Sequence, residues 1–182
     1  MNKTKIKISP LGVISFLTMY FLNGDDFLLM LLCAFLHEAG HLLAMLICKV
    51  RPSVISLGFM NFNIEYNKSK TTYKKDIFIS LSGPMANLAF ALLGIVEGWK
   101  EFFFVNFILF SINVLPVRSL DGWNVLKSTK ALFGKNGYDR LYEKVIGLSA
   151  VFVFSFLCDF NVSAVFMLVS ALVTDEVYLA GN

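Results

Sequence analysis

Residues 27–50 read FLLMLLCAFLHEAGHLLAMLICKV. The run is longer than the about 20 apolar residues that cross a hydrocarbon core at about 1.5 Å of helix rise each. Its polar interruptions are concentrated. Both histidines of the chain, His37 and His41, stand here four apart, with Glu38 directly after the first. Ionisable groups at membrane depth are costly and rare, and by default they mark a functional site.

Outward from this stretch the composition agrees. Of the 182 residues, 57% are apolar or aromatic and 16% are charged, with nineteen phenylalanines. A soluble domain averages about 45–50% apolar and about 25% charged residues. With a mean hydropathy of +0.68, soluble enzymes, nucleic-acid binders and disordered scaffolds leave the front rank. The net charge of +3 is too small for a nucleic-acid surface, so no nucleic-acid partner is expected. Cys33, Cys48 and Cys158 are an odd set in or beside apolar runs, which reads as small buried hydrophobes and not as a disulfide framework.

Further apolar runs cover residues 11–22, 77–96, 102–117, 145–158 and 162–179. Lys3, Lys5 and Lys7 precede the first, but Asn23-Gly24-Asp25-Asp26 follows it without a small-x-small cleavage pattern, so an uncleaved first span is expected. Six spans with the N-terminus inside put all of the sixteen basic residues except Lys100 on the cytoplasmic side. Asp25, Asp26, Glu97, Glu101 and Asp159 then fall on the outer turns, and the positive-inside rule makes both termini cytoplasmic. Residues 52–72 break the helical pattern. Ile55, Leu57 and Phe59, then Phe62, Ile64 and Tyr66, recur with the period of two expected of strands. The expected fold is an all-α polytopic membrane protein of the cell membrane, with about six transmembrane helices forming a single domain over residues 1–182. A small β-hairpin-like, membrane-associated segment lies between the second and third helices.

His37-Glu38-Ala39-Gly40-His41 is an HExxH pattern. On a helix, positions i and i+4 share a face, so both imidazoles reach one Zn²⁺, while Glu38, rotated by about 100°, reaches its water without entering the coordination shell. The competing reading, polar side chains joining helices, leaves that spacing unexplained. A catalytic zinc usually takes three protein ligands and keeps one position open. With no histidine left, a carboxylate or, failing that, a cysteine completes the set. Cys33 lies one turn before His37 and is a candidate, although a packed core cysteine is the commoner role. Asp121, in Leu120-Asp121-Gly122 beyond Pro116, is the carboxylate of interest. A helix-end or turn aspartate is its competing role. The topology favours the ligand, because His37 lies about 12 residues, about 18 Å, in from the outer end of its span, which puts both positions in the cytoplasmic half.

Three motifs in order, HEAGH at 37–41, Ser82-Gly83-Pro84-Met85-Ala86-Asn87, and Asn113 with Pro116 and Leu120-Asp121-Gly122, resemble the site-2 protease family of intramembrane zinc metalloproteases. The six-span layout without an inserted PDZ-like domain is most similar to the sporulation branch, which trims a membrane-tethered sigma-factor precursor. The resemblance implies that His37, His41 and Asp121 bind zinc, that Glu38 is the catalytic acid and base, and that Asn87 and Asn113 shape the site or hold substrate. It also implies a membrane-tethered protein substrate, with a regulatory membrane partner as a further expectation. Where the family often reads Pro-Leu-Asp-Gly-Gly, this chain has Ser119 for the proline and Trp123 for the second glycine. No nucleotide-sensing CBS domain follows within the 182 residues, so control by that route is not expected. Two other readings stand beside this one. The first is a metal-binding membrane protein without proteolysis, either a transporter or an inactive relative retaining clients. The second is a prenyl-protein type protease, which takes a glutamate ligand from a later helix.

Overall fold

The computed structural model describes residues 4–134 apart from 59–60, 69–70 and 119. The fifth and sixth expected spans, 145–158 and 162–179, lie outside the described residues. Among the described residues five helices and three strands follow one another: β1 (Lys5–Ile8), α1 (Pro10–Asn23), α2 (Asp25–Ile47), β2 (Pro52–Gly58), β3 (Asn61–Tyr66), α3 (Tyr73–Glu97), α4 (Lys100–Asn113) and α5 (Asp121–Leu132).

Each boundary has a local cause. Pro10 opens α1 at its first turn, where a missing N–H costs nothing and φ is already helical. Gly24, at φ 55, ends it and donates to the Tyr20 carbonyl. Asp25 and Asp26 occupy the first turn of α2, beside the positive end of its dipole. At the other end Lys49 adopts the left-handed conformation, φ 57. The Val50 N–H there closes on the Met45 carbonyl at 2.9 Å, which turns the chain into β2. Thr72 caps α3 by accepting from the Lys75 amide, and left-handed Gly98 closes it.

α2 and α3 are each long and apolar enough to cross a membrane, whereas the apolar stretch of α1 is shorter. α3 is central and packs against α2, α4 and α5. Gly94 admits α4: a Cβ there would lie 3.0 Å from the Phe103 amide nitrogen and 3.1 Å from its Cα. Among the described residues the interior is rich in polar groups, with Ser15, His37, His41, Asp76, Ser80, Asn87, Asn106 and Ser128 all buried. Large apolar side chains point outward instead, including Phe21, Leu22, Phe35, Leu43, Leu46 and Val96. This inversion of the soluble pattern fits a membrane location.

Two features depart from the expected fold. The strand region is a three-stranded sheet, ordered β1-β2-β3, and not a lone hairpin. β2 and β3 pair antiparallel, Ile55 facing Ile64, and β1 adds parallel to β2, Ile6 facing Ile55. The Lys-Ile-Lys-Ile alternation of β1 has the strand period, but read only as charge it marks a span's cytoplasmic flank. Paired residues share a face, so Ile6, Ile55 and Ile64 line the same side of the sheet. Ile64 and Tyr66 pack on the cluster of Ala44, Met45 and Ile79, which joins the sheet to α2 and α3. The second departure concerns the fourth span. Its helix stops at Asn113, before Pro116, and Asp121 opens a separate helix, α5.

Candidate metal centre

His37 and His41 lie on the buried face of α2, one turn apart, with ring centroids 4.8 Å apart. Asp121 arrives from the first turn of α5, 84 residues further along than His37. Its Oδ2 stands 3.0 Å from His37 Nε2 and 3.1 Å from His41 Nε2, and the two Nε2 atoms are 3.1 Å apart. The expected triad is therefore assembled, and these three residues form a group able to hold a metal ion.

The outer nitrogens of the rings decide what the inner ones can do. His41 Nδ1 lies 2.7 Å from the Ile79 carbonyl, which only accepts, so Nδ1 carries the proton. His37 Nδ1 lies 2.6 Å from Asn87 Oδ1. The Asn87 Nδ2 donates elsewhere, to the Cys33 carbonyl at 3.2 Å and to Asn106 Oδ1 at 2.9 Å. In the neutral rings both Nε2 atoms thus present lone pairs to a carboxylate oxygen, and three acceptors converge with no hydrogen between them. A single proton bridges only one of the three pairs. A metal ion such as zinc, about 2.0–2.1 Å from each donor, would engage all three, because tetrahedral angles would put the donors about 3.3 Å apart. The three residues fit such an ion.

Two glycines make the approach. A Cβ on Gly83 would run into the His41 ring and come within 2.8 Å of His37 Cε1. On Gly122 a Cβ would collide with the carbonyls of Val114 and Leu115, so α5 can bring Asp121 inward only with glycine in that place. Between them these residues explain why Ser82-Gly83-Pro84 and Leu120-Asp121-Gly122 are spelled as they are. Pro84 also lacks the N–H that would reach the Ser80 carbonyl, in the turn whose Ile79 carbonyl receives His41.

Glu38 is half-buried on α2, next to His37 in sequence and near His41 and Asp121. Asn87 is fully buried, with its Oδ1 against His37. Asn113 is placed differently. Its Nδ2 donates to the Leu109 carbonyl one turn back, at 2.9 Å, so this bond serves the end of α4. Cys33 is fully buried and its sulfur accepts from Asn106 Nδ2 at 3.1 Å, the packed-core role and not that of a ligand. Asn106 was not singled out from sequence, although an asparagine within Phe102-Phe103-Phe104-Val105-Asn106-Phe107 is a visible polar exception.

At the sheet end of the site Lys68 Nζ donates to Asn124 Oδ1 at 2.7 Å, tying the exit of β3 to α5 one turn beyond Asp121. Burial of the Tyr66 hydroxyl pushes the phenol above its ordinary pKa, and the Asp76 carboxylate pushes it further.

No protein-family model and no curated protein matches the chain. Solved structures do match, among them the site-2 protease from Methanocaldococcus jannaschii, at a TM-score of 0.64 and 17% identity, over 94% of this chain and 88% of that one. The chain thus shares the fold of a site-2 protease.

Proposed function

We propose that this protein is an intramembrane zinc metalloprotease of the site-2 protease kind, which hydrolyses a peptide bond in or near the membrane segment of a tethered protein. The observation that carries the reading is the meeting of His37, His41 and Asp121 within 3.0–3.1 Å of one another, beside Glu38. The shared fold supports it. So does the polar interior that two apolar helices enclose. The finer likeness to the sporulation branch, and with it a sigma-factor precursor as substrate, rests on the sequence motifs alone. Multi-pass insertion with both termini cytoplasmic rests on the distribution of basic residues.

Zinc bound at this site supplies Lewis acidity, which lowers the pKa of water toward about 7 and polarises a carbonyl. Glu38 takes the proton from the attacking water and returns it to the leaving amine. His37 and His41 remain neutral throughout, their Nδ1 protons held by Asn87 and Ile79. A helical substrate hides its carbonyls in its own hydrogen bonds and has to present them extended. β2 is flanked on both sides, and among the described residues β3, tied to α5 through Lys68, has a free edge. Added there as a further strand, substrate gains main-chain hydrogen bonds while extended.

Cleavage of a tethered substrate by wild type and by Glu38→Gln tests the reading. Loss of general acid–base chemistry costs about 10²–10⁴ in rate, with zinc content unchanged. Undiminished cleavage by the variant removes Glu38 from its role. Chelation should abolish wild-type activity and added zinc restore it; activity that persists through chelation refutes the metalloprotease assignment.

A further inference from the structure

Asn106 lies in the middle of α4, between Phe102-Phe103-Phe104-Val105 and Phe107-Ile108-Leu109-Phe110, and it is the fully buried residue of that helix. None of the hydrogen bonds described for it goes to His37, His41 or Asp121. Its amide is nevertheless fully engaged. Nδ2 donates to the Phe102 carbonyl at 2.9 Å and to Cys33 Sγ at 3.1 Å, and Oδ1 accepts from Asn87 Nδ2 at 2.9 Å.

The polarity of this network has one consistent solution. The Phe102 carbonyl only accepts, so the amide nitrogen of Asn106 must face it, which turns Oδ1 toward Asn87. Asn87 then faces two acceptors, Asn106 Oδ1 and the Cys33 carbonyl, and must give both of its N–H groups to them. Its own Oδ1 is left for His37 Nδ1. A flipped Asn87 would set its oxygen against two oxygens and its N–H against the ring N–H. The order of donors thus runs from a backbone carbonyl of α4 through two asparagines to the imidazole, and it ends with the lone pair of His37 Nε2 aimed at Asp121.

We infer that Asn106 is a positioning residue for the zinc site: it locks the orientation of Asn87, and through it the tautomer and direction of His37. The inference rests on the metal-site reading above. Partners of this kind around a metal-ligating histidine typically carry about 10–100-fold in metal affinity. A role limited to packing α4 against α3 predicts lower stability with unchanged affinity.

The experiment measures the Zn²⁺ Kd of the purified full chain by chelator competition, well below the unfolding temperature, for wild type, Asn106→Leu, Asn87→Leu and the double variant. Asn106→Leu should raise Kd by about 10-fold or more. In the Asn87→Leu background the same change should add less than about threefold, because residues in one network are not additive. A Kd within twofold of wild type, or full additivity, overturns the role of Asn106 while the zinc site stands. Wild type that binds no zinc overturns the metal reading itself, and with it this role. If Asn106→Leu is not recovered folded, Asn106→Ser is read by the same Kd criteria, since its hydroxyl cannot serve Phe102, Cys33 and Asn87 together.

Discussion

At the residue scale, the choice of third ligand separates the readings that the sequence left open. Asp121 and Cys33 were both within reach of the histidines by topology, and they differ in what surrounds them. The Asp121 carboxylate meets both Nε2 atoms at 3.0 and 3.1 Å. The Cys33 sulfur meets an amide. Asp121→Ala should therefore reduce zinc to well below one ion per chain and abolish cleavage, whereas Cys33→Ala should keep a full equivalent of zinc, at some cost in packing. Metal analysis of the two purified variants checks this, and zinc lost from the cysteine variant alone would reverse the assignment. Zinc retained by Asp121→Ala, with loss on substitution of a later glutamate, would favour the prenyl-protease arrangement.

At the scale of elements, the sheet is the part whose role is least like that of a transmembrane bundle. Strands beside a helical core need their edges paired or protected. β1 covers one side of β2 and β3 covers the other, so among the described residues β3 keeps an open edge. Proline in an extended strand removes a donor and is tolerated only where that donor is unused. Proline scanned through positions 61–66 should lower cleavage of a tethered substrate by more than about tenfold at alternate positions, those whose N–H groups face outward, by analogy with other strand-addition sites. Zinc content should stay at the wild-type level in the same variants. Full activity across the whole scan would exclude substrate pairing at this strand.

Across the described residues, the interior holds a run of polar side chains while many large apolar ones lie outside. In water such a surface would aggregate. In a bilayer it has no such cost, and the interior can hold hydrogen-bonded groups that lipid could not satisfy. The protein should remain in the membrane pellet after alkaline carbonate extraction, and release into the supernatant would contradict the membrane assignment. For the topology, alkaline phosphatase fused after Asn182 should be inactive and a fluorescent protein fused there should be bright, as a cytoplasmic C-terminus requires.

Much of this was written locally. The histidine pair and Glu38 act through i, i+1 and i+4 relations on one helix, so residues 37–41 spell out their own geometry. The capping of α1 and α3 and the alternation of β2 and β3 are equally short-range. Asp121 was legible as a candidate because so few carboxylates stood near apolar sequence. So was its rank above Cys33; how it reaches the histidines was not, since that depends on α5 swinging back past Val114 and Leu115 with Gly122 at the crossing. The parallel pairing of β1 with β2 and the link from Asn106 to His37 were also beyond reach. Each joins residues far apart in the chain, and no local period encodes which of two distant groups will meet. The sequence by itself determined that this chain carries a histidine pair in an apolar helix. Tertiary packing decided how Asp121 is carried to that pair and which way its imidazoles face, because those depend on contacts between α2, α3, α4 and α5.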